Sequence, residues 1–155
     1  MLEYLIIIAG LADKPLIDSM LQDYLRELSL YEPISVSESG RYDYPYLDLY
    51  WSEAGRYPYL LYLNNKVVGF ALVRKDVNYY EIAEYSILSD FRRQGLGTVF
   101  ASAIINKHTG KWHIEYNLPN IGGKRFWNKL VFKLAGQNYT KHPSPGNREY
   151  LEFVV

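Results

Sequence analysis

Ile82-Ala83-Glu84-Tyr85-Ser86-Ile87-Leu88 is an apolar run of strand character, and Leu96 to Ile105 reads as a helix soon after it. Between them stands Arg92-Arg93-Gln94-Gly95-Leu96-Gly97, so the order is strand, short turn, glycine-rich helix start. A helix N-terminus leaves backbone N–H groups unpaired and carries partial positive charge. Glycines let an anion come close to those groups, and a phosphate fits such a junction well. The bland reading of the same residues is a tight strand-to-helix turn with solvated arginines.

Neither common nucleotide loop fits. The P-loop pattern is absent, and Phe100 occupies the place where a dinucleotide fingerprint needs its third small residue. The pattern present is Arg92-x-x-Gly95-x-Gly97. Further on come a strand candidate, Trp112 to Leu118, and then Asn120-Ile121-Gly122-Gly123-Lys124-Arg125-Phe126-Trp127 with Val131-Phe132. In this order and separation the two segments resemble the GNAT superfamily of N-acetyltransferases, over nearly the whole chain and more loosely before Tyr57. Gly123 stands where that family usually has alanine, Trp127 where tyrosine is usual, and Val131-Phe132 where Gly-Phe is usual. Gly110-Lys111-Trp112 and Phe126-Trp127 are similar to a branch of bacterial predicted acetyltransferases with Trp at the tyrosine position.

The resemblance implies acetyl-CoA as co-substrate, an amine acceptor, and direct transfer in a ternary complex. It places the pyrophosphate on Gln94, Gly95, Leu96, Gly97 and Thr98, with Arg92 or Arg93 reinforcing. Ile87 and Leu88 would pair with the pantetheine arm, which Asn120 and Trp127 would touch from the other side. Glu84 and Glu81 are the candidate bases, Glu84 favoured because that branch carries a glutamate there. The two have opposite parity, so a regular strand would turn only one toward the substrate, and a bulge would change that. An ordinary Glu titrates near 4.3, and it suits an ammonium only if burial raises it or water relays the proton. Either carboxylate is equally readable as a solvated strand residue or an ion-pair partner. Tyrosine in relatives protonates the departing thiolate, but an indole N–H does not titrate. Tyr116, Tyr139 or a water would have to replace it, or the thiolate leaves unassisted. A CoA-binding sensor or interaction module that has lost catalysis is therefore the alternative.

Composition narrows the class. The chain has 155 residues, with 17 Lys+Arg against 17 Asp+Glu and no cysteine. One domain over residues 1–155 suits that length. Zero net charge argues against a nucleic-acid partner. No disulfide or cysteine nucleophile is available, which is compatible with a cytoplasmic location. The stretch Leu2 to Gly10 is too short to span a membrane and lacks a basic leader. His108, His113 and His142 are scattered, so no metal is expected. Partners are then a small-molecule or peptide amine, without nucleic acid or membrane, and a homodimer is admitted.

Patterning gives the remaining elements. Leu5 to Ala9 suits a buried strand, and Lys14 to Leu30 has helical spacing with Pro15 in its first turn. Asp43 to Glu53 reads as a second short helix. Tyr57 to Leu63 and Lys66 to Lys75 read as strands about an Asn64-Asn65 turn, followed by Tyr79 to Leu88. Gln137 to Lys141 and Arg148 to Val154 close the chain as a hairpin around Pro143 to Gly146. The order βααβββαβαββ predicts an α+β fold, a mixed, mostly antiparallel central sheet flanked by helices. It is also the order of a GNAT domain.

The chain has 16 tyrosines, many of them between Tyr42 and Tyr62. Aromatic faces attract cations, and this stretch lies on the acceptor side in GNAT domains. Tyr46, Asp48 and Tyr50 are the candidate acceptor-binding residues. A scaffold role, with rings in the core and aspartates in solvent, is the competing reading.

Overall fold

A computed structural model describes residues 3–155, and Leu2, which opens the apolar N-terminal stretch, lies outside them. Seven strands form one sheet: β1 (Tyr4–Ile8), β2 (Arg56–Leu63), β3 (Lys66–Lys75), β4 (Tyr80–Ile87), β5 (Lys111–Asn117), β6 (Tyr139–Ser144) and β7 (Arg148–Val154). Their spatial order is β1-β2-β3-β4-β5-β7-β6. Every pairing is antiparallel except β4 with β5, which is parallel. Three helices flank the sheet: α1 (Lys14–Leu28), α2 (Leu96–Lys107) and α3 (Ile121–Ala135). The α+β expectation holds. No helix among the described residues is long and apolar enough to cross a membrane.

Alternation along the central strands explains how the sheet is covered on both sides. Leu61, Val68 and Val73 share a core with Phe100, Ile104 and Val131 of α2 and α3. The intervening Leu60, Phe70 and Leu72 pack against Ile17, Met20 and Leu21 of α1 on the other face. Successive strand side chains point to opposite faces, so β2 and β3 read as nearly continuous apolar runs because both faces are buried. Asn64 and Asn65 have φ of 49° and 67°, the left-handed pair that a two-residue hairpin requires.

Most boundaries shift by a residue or two from the sequence reading, and two elements differ by more. The second helix is a single 3-10 segment, Leu47–Trp51. Pro45 lies just before it, and burial of Leu47 and Tyr50 holds it against the sheet. Strand β6 runs on through Pro143 to Ser144. It is an edge strand, and there a missing N–H is tolerated.

At β4 the sheet comes apart. Its parallel pairing with β5 consists of Tyr80 with Trp112 and Glu81 with His113. Beyond that the strands diverge, and the rest of β4 faces an open gap. Gly69 permits β3 to follow β4 closely here, because a Cβ on it would lie 2.9 Å from Ile87 Cδ1 and 3.0 Å from Ser86 O. Gly69→Ala is expected to lower stability by about 1–3 kcal/mol through overpacking, as read by urea unfolding.

Candidate active site

The gap leads to the turn between β4 and α2. A short 3-10 turn, Ser89–Phe91, is followed by Arg93 with φ 64° and Gly95 with φ 80°. The first backbone hydrogen bond into α2 runs from the Val99 N–H to the Gly95 carbonyl at 3.2 Å. The N–H groups of Arg93 through Thr98 have no partner among the described residues. They form a nest of donors at a helix N-terminus, the arrangement that binds anionic oxygens.

The side chains around this nest divide. Arg93, Gly95, Gly97 and Thr98 line a 750 Å³ groove. Arg92 also reaches its wall, but its Nε donates to the Ile87 carbonyl at 2.7 Å and one Nη to Glu27 at 2.9 Å. It therefore braces the end of β4 against α1. The Leu96 side chain is core, and that of Gln94 is exposed away from the groove. These two contribute backbone alone.

One expectation on β4 needs correction. The Leu88 N–H donates to the Val68 carbonyl at 2.8 Å, so Leu88 is spent on β3. Hydrogen bonding alternates along an antiparallel strand, which turns the backbone groups of Tyr85 and Ile87 toward the gap. Across the groove, Asn120 caps α3 by accepting from the Gly123 N–H at 2.9 Å. A Cβ at Gly123 would stand 2.7 Å from Asn120 Nδ2, which accounts for glycine at that position. Trp127 lines the groove edge-on to Tyr85, ring centroids 5.1 Å apart.

A second cavity, 410 Å³, adjoins the groove and shares Tyr24, Ile82, Ala83 and Tyr116 with it. Glu84 and Glu81 both line it. A bulge brings them together: Leu72 pairs with Glu84, Val73 with Ile82 and Arg74 with Glu81, leaving Ala83 as the extra residue. The parity that would have separated the two carboxylates is thereby cancelled. Their surroundings differ sharply. Glu81 is paired with Arg74. Glu84 has no cation and accepts from the hydroxyls of Tyr24 at 3.0 Å and Tyr44 at 3.1 Å. Solvent reaches it through the cleft, yet protein surrounds its carboxyl. Burial pushes its ionisation up from 4.5 to about 7, against the two phenols, which pull it down.

The tyrosine-rich stretch supplies part of this cavity. Tyr44, Tyr46 and Tyr50 line it, Tyr46 half exposed and Tyr50 buried. Asp48 does not. Its side chain is 77% exposed and pairs with Lys14, because the 3-10 turn places it opposite the buried Tyr50. Sequence reading missed Tyr24, whose apolar-face position in α1 conceals its bond to Glu84. It also missed Arg74, Arg148 and Glu32, ordinary surface residue types that only the fold gathers here.

The model of the acetyltransferase (GNAT) family matches residues 18–132. The chain belongs to that family. No curated protein matches it in sequence. Solved structures similar in fold include a GNAT-family acetyltransferase of Streptococcus agalactiae, at 16% identity and TM-score 0.71, covering 98% of this chain and 95% of that one. The PaiA N-acetyltransferase of Thermoplasma acidophilum, in complex with coenzyme A, matches at 11% identity and TM-score 0.68, with 99% of each chain covered. A putative streptothricin acetyltransferase of Bacillus anthracis, in complex with acetyl coenzyme A, matches at 16% identity and TM-score 0.59, again covering 99% of each.

Neither Tyr116 nor Tyr139, the two tyrosines weighed as proton donors, stands free in the groove. Tyr116 donates to Glu149 and accepts from Asn128 Nδ2 at 2.9 Å, and burial raises its ionisation. Tyr139 lines neither cavity. The histidines are engaged separately, His108 with Tyr59, His113 with Glu152 and His142 with Thr140.

Glu84 also makes stability depend on pH. Its folded ionisation lies above its unfolded value, so the stability it confers is complete below pH 4.5 and is lost as pH rises to about 7. Glu84→Gln keeps the shape without the charge. The variant is expected to gain on the wild type across that interval, by on the order of 3 kcal/mol at most, and to hold the gain at higher pH. Urea titrations at a series of pH values measure it.

Proposed function

We propose that this protein transfers the acetyl group of acetyl-CoA to an amine, with Glu84 as the base. The observation that carries the reading is continuity: a groove that begins at a nest of unpaired N–H groups opens into a cavity holding an uncompensated carboxylate. Acetyl-CoA would supply an activated thioester. The nest of Arg93 to Thr98 would hold its pyrophosphate, with Arg93 adding charge. The gap-facing amides of Tyr85 and Ile87 would hold its arm, and one of their N–H groups would face the thioester oxygen. Glu84, ionised above about pH 7, would take a proton from the acceptor ammonium, leaving its nitrogen free to attack the acetyl carbon; the C–S bond would then break, coenzyme A leaving as the thiolate, and the nitrogen's second proton would pass to that thiolate or to water. A tuned carboxylate of this kind suits general-base catalysis near neutral pH. Glu81 is committed to Arg74 and would act on the field around the base.

A second reading, a CoA-binding module without turnover, draws support from Trp127 and from the engaged hydroxyl of Tyr116. The two readings part in a single set of measurements. Acetyl-CoA is expected to raise thermal stability, by roughly 2.7 kcal/mol at a hundredfold excess over its dissociation constant. Gly95→Val should abolish this shift while the chain stays folded, since a Cβ at φ 80° meets no neighbouring atom but forces the nest backbone to change. On an amine panel, kcat/KM should rise with pH along a limb near 7, and Glu84→Gln should lower kcat by about 10²–10⁴-fold. Tyr24→Phe and Tyr44→Phe each remove a donor and should move the limb to higher pH. A thermal shift with no turnover on any amine establishes the second reading, and no shift at millimolar acetyl-CoA rejects both.

A further inference from the structure

The two edges of the sheet are built differently. Strand β6, at one end, carries the exposed Lys141 and Pro143. Lysine and proline on an edge keep it from pairing with another chain. Strand β1, at the other end, reads Tyr4-Leu5-Ile6-Ile7-Ile8. It holds no charge and no proline, and its pairing with β2 runs without a bulge. Tyr4, Leu5 and Ile8 are each more than half exposed, and so is Leu11 just beyond the strand. An exposed apolar edge of this kind is a template for strand pairing, and exposed apolar patches mark interaction surfaces.

Backbone parity says which groups are on offer. The Ala9 N–H donates to the Pro58 carbonyl at 2.8 Å, and the Asn64 N–H donates to the Glu3 carbonyl at 2.8 Å. Hydrogen bonding alternates along an antiparallel strand, so Glu3, Leu5, Ile7 and Ala9 are spent on β2. The N–H and C=O groups of Tyr4, Ile6 and Ile8 point outward and have no partner among the described residues. These three positions are symmetric about Ile6. A second copy laid antiparallel and centred there sets Ile6 against Ile6, and Tyr4 against Ile8 at both ends. Every outward group of both strands is then paired, whereas any other register runs part of one strand past the end of its partner. The side chains agree with this register. Successive residues point to opposite faces, so Tyr4 and Ile8 meet on one face, an aromatic with β-branched pair of the kind that stabilises sheets. Leu5 meets Ile7 on the other. No like charges oppose each other, and the strand is its own complement. A chain of different sequence would satisfy the backbone without these contacts.

We propose that two copies of this chain pair through β1, antiparallel and centred on Ile6, so that their two sheets become one across a two-fold axis. Such a contact uses the same patch on both copies and closes at a dimer. The guarded β6 edge adds nothing further. The strand is short, so the dimer is a reversible one at the small end of interface size. The candidate active site lies at β4 and β5, on the far side of β2 and β3, and both clefts stay open. The pairing stands on the fold alone, independent of what the cleft does.

The test is sedimentation velocity of the full chain over a series of concentrations up to about 1 mM. The wild type is expected to pass from the 18.1 kDa mass of one chain to twice that mass and to stop there. Tyr4→Lys combined with Ile8→Lys sets like charges against each other at both ends of the pairing and should weaken the dimer by about tenfold or more. Tyr4→Glu combined with Ile8→Glu should do the same. Mixed in equal amounts, the two variants should dimerise again, since every new carboxylate then stands against a new ammonium. The substituted side chains are exposed, so each variant should keep a cooperative thermal transition and, lying far from the cleft, the same response to acetyl-CoA as the wild type. The proposal is overturned if the wild type keeps the mass of one chain throughout, which leaves the edge to a different partner. It is equally overturned by a mass that grows past two chains, by either double variant dimerising as tightly as the wild type, or by a mixture that stays monomeric.

Discussion

Strands β4 and β5 hold each other at Tyr80–Trp112 and Glu81–His113 and nowhere beyond. Each is fully paired on its other side, β4 with β3 and β5 with β7. Neither can turn back without breaking a ladder of hydrogen bonds, so the divergence is built in. Buried backbone groups demand partners. A gap of this kind inside a sheet is tolerable where water or an extended ligand with its own amides can satisfy the strand edge. The two cavities, the N-terminus of α2 and Glu84 all sit along this gap.

Tyr85 fixes the parts relative to one another. Its hydroxyl donates to the Gly97 carbonyl in the first turn of α2, its ring stacks on Phe126, and Trp127 meets it edge-on. Strand β4, the glycine-rich turn and α3 are thus joined through one side chain. Gly97 belongs to the same contact, since a Cβ there would stand 3.2 Å from Phe126 Cε1. Arg92 does similar work at the other end of the turn, linking the Ile87 carbonyl to Glu27 of α1. The turn, with its six unpaired N–H groups, is thus held on both sides, and donors fixed in this way need no rearrangement when a charge arrives.

Opposed influences set the character of Glu84. Removal from bulk water favours its neutral form, and two phenols donating to its two oxygens favour the charged form. The phenols come from α1 and from the loop before the 3-10 segment, elements remote from each other in sequence. Glu81, three positions earlier on the same strand, has Arg74 as its partner and no such balance. Two carboxylates on one face therefore differ through their neighbours alone.

The sequence by itself determined the elements and the glycine-rich turn that opens α2. Periodicity and glycine placement are local properties, and Arg92 to Gly97, the Asn64-Asn65 hairpin and the apolar stripes of α1 to α3 are legible for that reason. Asn120 was singled out through the resemblance alone, and its role as the cap of α3 came from the structure. Tertiary structure decided what lies between them. The Ala83 bulge, which brings Glu81 and Glu84 to one face, depends on the register of β3 against β4. The bond from Tyr24 to Glu84 spans sixty residues of sequence, and no local pattern distinguishes that tyrosine from its neighbours on the helix. Asp48 and Tyr50, two positions apart, part company into solvent and core once the 3-10 turn docks. Contacts between distant segments carry no sequence periodicity, so the site's chemistry emerged only when the sheet brought those segments together.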